Sequence, residues 1–375
     1  SGDLQIDNQQ VLELRKLLEL VKTSNGRFIE LGAEQILALS ADLRHKLELI
    51  NQITDEGKFH PLASLQMEEA TSGMRMKTIH AWDAQTKKMH QANAIKPLIP
   101  STFQAQLRTY QLEGFDWASR LAHWGAGACL ADDMGLGKTL QALAILLSRA
   151  SQGPSLVIAP TSVCFNWQQE ALKFAPTLNM KLFADSATTL KREGLLNELG
   201  PFDCVIISYG LLQRESDILK QVKWHTIVAD EAQALKNPLA KRTKAAFALK
   251  GDFKMITTGT PIENNLSELW SLFRFINPGL LGNIKRFAER YALPIENAKE
   301  DPLAARKASQ GLKALIQPFI LRRMKNQVLK ELPSRTDINI RVEMSAQERD
   351  FYEALRLTAI DNISQAGQQA NAGEQ

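Results

Sequence analysis

The sequence predicts an α/β fold: a parallel sheet with helices on both faces, preceded by a small α+β module and extended by a helical protrusion. Three observations carry this. Short apolar runs at 126–131, 155–159, 202–208, 224–229 and 253–258 alternate with helical patterns. They are apolar at successive positions rather than at every second one, so both faces of the sheet are covered. The first run leads through Gly135 and Gly137 into a helix beginning near Lys138, the strand–loop–helix order that parallel sheets repeat.

In chain order, Val11, Leu14, Leu18 and Val21 fall at helical spacing within 8–22, and 27–39 alternates around Gly32 like a hairpin. Residues 1–70 are therefore read as a small α+β module. The stretch 71–100 is polar and basic (Lys77, Lys87, Lys88) and ends with Pro97 and Pro100, which reads as a linker with one exposed helix. The sheet domain covers 101–275, and a helical, basic protrusion covers 276–335. Over 336–363, Ile338, Ile340, Val342 and Met344 alternate as a strand, and Ser345 with Glu348 makes a capping box for a last helix. Residues 364–375 lack an apolar face and read as a disordered linker.

Composition bounds the function. With 375 residues, 44% of them hydrophobic and 23% charged, the chain buries a sizeable core, which excludes a single small module. A charge of +4 with a pI near 8.8 permits an anionic partner without requiring one. Cys129, Cys164 and Cys204 lie far apart beside apolar runs and read as reduced core residues; the six histidines include no HExxH, so no metal site of the protein's own is expected. The apolar stretch 142–147 is far below the roughly 18 residues of a membrane span, and no signal peptide opens the chain, so an intracellular protein is expected. The first residue is Ser1, which suggests a segment of a longer protein.

The run LADDMGLGKT at 130–139 carries the most chemistry. Gly135 and Gly137 let backbone N–H groups turn inward around phosphate oxygens, and the following helix aims its positive end at them. Lys138 then reaches the β and γ phosphates, and Thr139 offers its hydroxyl to magnesium. The strict GxxxxGK[ST] pattern departs at its first position, where Asp132 replaces glycine; a plain turn is the competing reading. In TIVADEAQ, 226–233, an apolar strand ends in two carboxylates. Beside a phosphate loop, Asp230 can hold the magnesium shell and Glu231 can orient and deprotonate a water; capping of the next helix is the alternative. Thr161 and Ser208 stand at the carboxyl ends of predicted strands, the edge where ligands meet open α/β sheets.

Six stretches in register resemble the Swi/Snf-type ATPases of helicase superfamily two, across about residues 103–360. They are LRTYQLEG (107–114), ADDMGLGKT (131–139), LVIAPTSV (156–163) with Asn166 and Trp167, DEAQALKN (230–237), TGTPIENN (258–265) with ELW (268–270), and LRRMK (321–325) with Leu332 and Pro333. The family's own phosphate loop carries Asp at the departing position. The resemblance implies a RecA-like lobe using ATP and Mg. Arg108, Gln111, Asp133, Met134, Gly135, Leu136, Gly137, Lys138, Thr139 and Leu140 would hold the nucleotide, with Gln111 reading the adenine edge. Lys138, Asp230 and Glu231 would be catalytic, and Thr139 and Asp230 would ligate magnesium. Gly259, Thr260 and Pro261 would couple the site to movement. Thr161, Ser208, Lys236, Asn237, Arg322 and Arg323 would meet nucleic acid, although Arg322, Arg323 and Lys325 read equally as a solvated basic turn in a protrusion far from the loop. Trp167, Tyr209, Trp270, Leu272 and Phe273 read as packing residues.

Nothing in the sequence matches the family's second-lobe motifs, whose arginines complete the ATP site. The expectation is therefore a first motor lobe that binds ATP and hydrolyses it very slowly alone. Its expected partners are double-stranded DNA, the second RecA-like lobe of the same protein, and DNA-bound proteins, with no membrane. A prokaryotic, nucleoid-associated cytoplasmic setting is favoured over a eukaryotic nucleus. Two alternatives stand: a nucleotide-gated DNA-binding scaffold without productive hydrolysis, opposed by Asp230 and Glu231, and an RNA helicase. Gly259, Thr260 and Pro261 oppose the latter, because RNA-directed DEAD-box relatives carry Ser-Ala-Thr there.

Overall fold

The computed structural model describes residues 3–5, 11–24, 26–32, 35–54, 58–74, 78, 80–186, 188–259, 265–328 and 343–372. They belong to two units, 1–328 and 329–375.

The first unit opens with two antiparallel pairs, β1 (Asp3–Gln5) with β2 (Val11–Glu13) and β3 (Phe28–Gly32) with β4 (Gln35–Ala38). Three helices, α1 (Leu14–Thr23), α2 (Ala41–Ile53) and α3 (Ser64–Ala70), join them around a small core of Leu17, Val21, Ile29, Leu39, Leu47, Ile50 and Met67. The hairpin lies where the alternation predicts it. The first helix starts at Leu14 rather than near residue 8, because Val11 pairs with Gln5 in the β1–β2 ladder and never joins the helical face. The stretch read as a linker holds α4 (His80–Ala94), which is not detached: Met89 and Ala92 are buried in the main core, where α4 packs on α5 (Thr109–Trp124).

Seven strands then form one parallel sheet: β5 (Ala128–Leu130), β6 (Ser155–Ala159), β7 (Asn179–Leu182), β8 (Asp203–Ser208), β9 (Lys223–Ala229), β10 (Lys250–Thr257) and β11 (Ile320–Leu321). The spatial order is β11-β5-β10-β9-β6-β8-β7. Strands β5, β6 and β8 are buried at every position, as two-sided coverage requires. Helix α6 (Lys138–Arg149) is buried from Gln141 to Leu147, held between α5, α7 (Thr161–Phe174) and β9.

Helices at 284–316 fill the segment read as the protrusion, with Phe287, Tyr291, Leu312 and Leu315 buried in the main core. One correction applies to its end: the chain returns at β11 to pair with β5, so Leu321 belongs to the sheet and the residues after it run beside the β5 loop. The protrusion carries the amino-terminal module. Tyr291 Oη donates to the Gln52 carbonyl at 3.1 Å, Gln66 Nε2 to the Ala314 carbonyl at 3.0 Å, and Lys307 pairs with Glu48 at 3.3 Å. A β-carbon on Gly311 would stand 2.7 Å from Gln52 Oε1, so a larger residue there would displace the Gln52 side chain that lies on helix Pro302–Ile316.

In the second unit, Ser345 and Glu348 cap one another at the start of helix Ala346–Ala372: Ser345 N donates to Glu348 Oε2 at 2.9 Å and Glu348 N to Ser345 Oγ at 3.3 Å. The helix carries on through residues read as a disordered linker, since Gln and Ala are good helix formers with or without an apolar face. The expected strand positions Ile338, Ile340 and Val342 lie outside the described residues.

Candidate active site

Parallel pairing brings the carboxyl ends of β5, β10 and β9 to one edge, with β10 in the middle. At strand spacings of about 4.8 Å, the loop after β5 and the acids after β9 stand about 10 Å apart, room for a phosphate and a cation. The loop makes its turn into α6 at Gly137, with φ 71°. A β-carbon there would meet Gln111 Nε2 at 2.5 Å, because α5 closes the loop from behind. Gln111 Nε2 and Tyr110 Oη both donate to the Leu136 carbonyl at 3.2 Å, and Gln111 Oε1 accepts from Arg108 N at 3.0 Å. The buried Lys138 ammonium donates to the carbonyls of Asp132 at 2.8 Å and Asp133 at 3.3 Å. Neutral carbonyls hold an ammonium less strongly than an ionised oxygen does, so an anion in the loop gains by taking it over.

Across the edge, Asp230 is fixed on every side. Its Oδ2 accepts from Trp167 Nε1 at 2.8 Å, and its Oδ1 accepts from Thr257 Oγ1 on β10 and from Glu231 N at 3.0 Å. Tyr209 Oη donates to the Asp230 carbonyl at 2.7 Å. Burial first, and then the charges of Asp230 and Glu231, push the Tyr209 phenol well above its ordinary range, so it stays a donor. Burial and then the Asp230 charge also raise the neighbouring Glu170 carboxyl. Glu231 is left-handed at φ 48°, a conformation that only Phe202 shares among the described non-glycine residues. Gln233 Nε2 holds its carboxylate at 2.8 Å, and Gln233 Oε1 accepts from Thr258 Oγ1 at 3.3 Å. Next in the chain, Gly259 lies against the loop: a β-carbon on it would stand 3.3 Å from Met134 Cγ. The acids, the end of β10 and the phosphate loop thus touch in series.

The structure therefore brings Lys138, Thr139, Asp230, Glu231 and Gly259 to one edge, with Arg108, Gln111 and the loop residues Asp133–Leu140 behind and around it; Thr260 and Pro261 lie outside the described residues. Three residues expected to meet nucleic acid are buried here. Lys236 is buried with its ammonium 3.3 Å from Glu268, and Ser208 is buried with its hydroxyl accepting from Leu211 N at 3.3 Å. Arg323 is buried beside the loop rather than in a distant protrusion: Nε meets Asp132 Oδ1 at 3.0 Å, Nη2 meets Oδ2 at 2.6 Å, and Nη1 donates to the Tyr110 carbonyl. Most of the guanidinium's N–H donors are thus spent within the fold. Thr161, Asn237 and Arg322 are at the surface. Sequence reasoning assigned Trp167 and Tyr209 to packing and passed over Thr257. Their roles depend on contacts with Asp230 from other strands and helices, so no local spacing signals them.

A family model described as the SNF2-related domain matches residues 110–374. YwqA of Bacillus subtilis, named as a candidate ATP-dependent helicase/translocase, is 40% identical over 272 residues, 71% of this chain and 29% of that protein. The chromatin-remodeling ATPase INO80 of Cryptococcus neoformans is 37% identical over 278 residues, 70% of this chain and 16% of that protein. The solved Sulfolobus solfataricus SWI2/SNF2 ATPase core in complex with dsDNA aligns with a TM-score of 0.55 at 39% identity, covering 72% of this chain and 56% of that one. The chain thus spans less than a third of these two curated relatives.

Proposed function

From the premise that this chain belongs to the SNF2-related family, we propose that it is the ATP-binding lobe of a double-stranded-DNA-stimulated ATPase that translocates along DNA or remodels protein–DNA complexes. The observation that carries the reading is the single edge on which the loop with Lys138 faces Asp230 and Glu231 across β10. On ATP binding, Lys138 exchanges two carbonyls for the β and γ phosphates. Thr139 and Asp230 supply the hard oxygen donors that suit magnesium, and the bonds from Trp167, Thr257 and Glu231 N keep the Asp230 carboxylate oriented. Magnesium bound by these residues would neutralise charge on the phosphates. Glu231, steadied by Gln233, takes the proton of the water that attacks the γ phosphorus, and ADP departs. Gln111 spends one N–H on the Leu136 carbonyl and one lone pair on Arg108 N, and its second N–H and second lone pair would read adenine. DNA-stimulated turnover draws on arginines from a second lobe.

The test is titration with a fluorescent ATP analogue. Lys138→Ala should bind roughly 30- to 150-fold more weakly than the parent, the loss of one charge-assisted contact. Equal binding overturns the reading.

A further inference from the structure

Past β11 the chain runs alongside the phosphate loop and is bonded to it step by step. Ala131 N donates to the Leu321 carbonyl at 2.7 Å and Asp133 N to the Arg323 carbonyl at 3.0 Å. In return, Arg323 N donates to Asp132 Oδ1 at 3.0 Å and Lys325 N to Asp133 Oδ2 at 3.0 Å. The Arg323 fork closes on Asp132, Nη2 also donates to Gln141 Oε1 at 3.0 Å, and the guanidinium lies 5.3 Å from the Tyr110 ring centroid. All of this fixes where the chain emerges at Lys325. The Lys325 side chain is exposed, and its ammonium stands 3.3 Å from where a β-carbon on Gly135, in the loop itself, would be.

We infer that Lys325 is a further nucleotide-binding residue, gripping the phosphate chain from the Gly135 side of the loop while Lys138 grips it from the Asp132 side. The Arg323–Asp132 pair is the positioning element that holds it there. This rests on the reading of 130–139 as the ATP site. It gives the buried acid at 132 a task that glycine could not perform, since only a carboxylate anchors the strap that delivers the second cation.

The test titrates this chain and its Lys325→Met and Lys325→Arg variants with a fluorescent ATP analogue, with adenosine as a competitor. Lys325→Met should bind ATP roughly 5- to 30-fold more weakly, the scale of one charge-assisted contact at a partly open site, and Lys325→Arg should restore most of the loss. Adenosine affinity should not change. Lys325 is exposed, so neither variant threatens the fold. Parent-like ATP binding by Lys325→Met, or an equal loss for adenosine, overturns the inference. Lys138→Met in the same titration separates the two claims: if it too binds like the parent, the ATP-site reading itself falls. Arg323→Lys keeps the charge without the fork and should show the same ATP-selective loss. If it melts and binds ATP as the parent does, the positioning role falls.

Discussion

The two ends of the central strands bury charge in opposite ways. At the carboxyl edge Arg323 is held by the ionised Asp132 and Asp230 by Thr257, Trp167 and an amide, while Lys138 rests on two carbonyls of the loop. At the amino edge the partners are neutral or exposed. Lys254 Nζ donates to the Leu249 carbonyl at 2.8 Å and lies 5.0 Å from the Phe275 ring centroid; Arg149 Nε donates to Thr226 Oγ1 at 3.0 Å; His225 meets the half-exposed Asp252 at 3.2 Å. Burial accordingly lowers Lys254 to about 8 and Arg149 to about 10, and burial with the Arg149 charge lowers His225. A fold can tolerate a buried cation by pushing it toward neutrality or by answering its charge. The second course is found for Arg323 and Asp230 at the edge where the loop and the acids meet, beside Lys138 on its two carbonyls.

The largest effect should come from the strained acid. In a longer chain that turns over ATP, Glu231→Gln should cut phosphate release by about 10²- to 10⁴-fold, because the amide keeps the shape but cannot take the proton. ATP binding should stay within about threefold, since binding draws on Lys138 and the loop. Unchanged phosphate release would move the base elsewhere and remove the functional half of the comparison.

The next largest should be structural. Asp132→Asn leaves the Arg323 guanidinium buried without its counter-ion and should cost about 3–5 kcal/mol in urea denaturation of this chain. A cost below about 1 kcal/mol, the range of surface pairs, would show that the carboxyl edge does not depend on answered charge.

Much of the candidate site was legible in the sequence because its residues sit in short runs. The 130–139 loop and the 226–233 strand carry their glycines, lysine and acids at local spacing, and five of the seven sheet strands are dense apolar runs. The other two strands were illegible for physical reasons: β7 is a half-exposed edge, and β11 is only two residues long. The errors share one cause. Asp132 and Arg323 are 191 residues apart, and Trp167 and Asp230 are 63 apart, so their meeting depends on strand order and helix packing. A motif supplies a residue's neighbours in the chain; whether Lys236 or Ser208 faces solvent depends on what the fold lays across it.

Trp167→Phe should have a smaller effect. It removes the indole N–H from Asp230 Oδ2 in a buried site, and a hydrogen bond to a charged acceptor contributes about 1.5–3 kcal/mol. Denaturation should report that loss, and the carboxylate, freed on one side, should hold magnesium less well in a metal titration with ATP present. A variant as stable as the parent would mean that Thr257 and the Glu231 amide fix Asp230 unaided.

The smallest effect tests the amino edge, and its sign is opposite. Lys254→Met removes an ammonium that burial disfavours and should stabilise the chain at pH 7 by about 1–2 kcal/mol, less than the full shift implies because the Leu249 carbonyl loses its donor. The pH dependence follows from linkage. Below about 8 both folded and unfolded chains carry the proton, and the cost of burying it is fully present. Between about 8 and the ordinary value of 10.5 the folded chain has released the proton while the unfolded chain retains it, so Lys254 makes stability rise with pH. Cys129 and Cys204, pushed up to about 12 by burial, contribute the opposite slope above their ordinary value of 9. The measurement is therefore the difference between parent and variant, in which the cysteine contributions cancel. That difference should be largest at neutral pH and close through the window from about 8 to 10.5. Parallel curves across the window would mean that Lys254 keeps its proton in the fold, and that the amino edge answers its buried charge as fully as the carboxyl edge does.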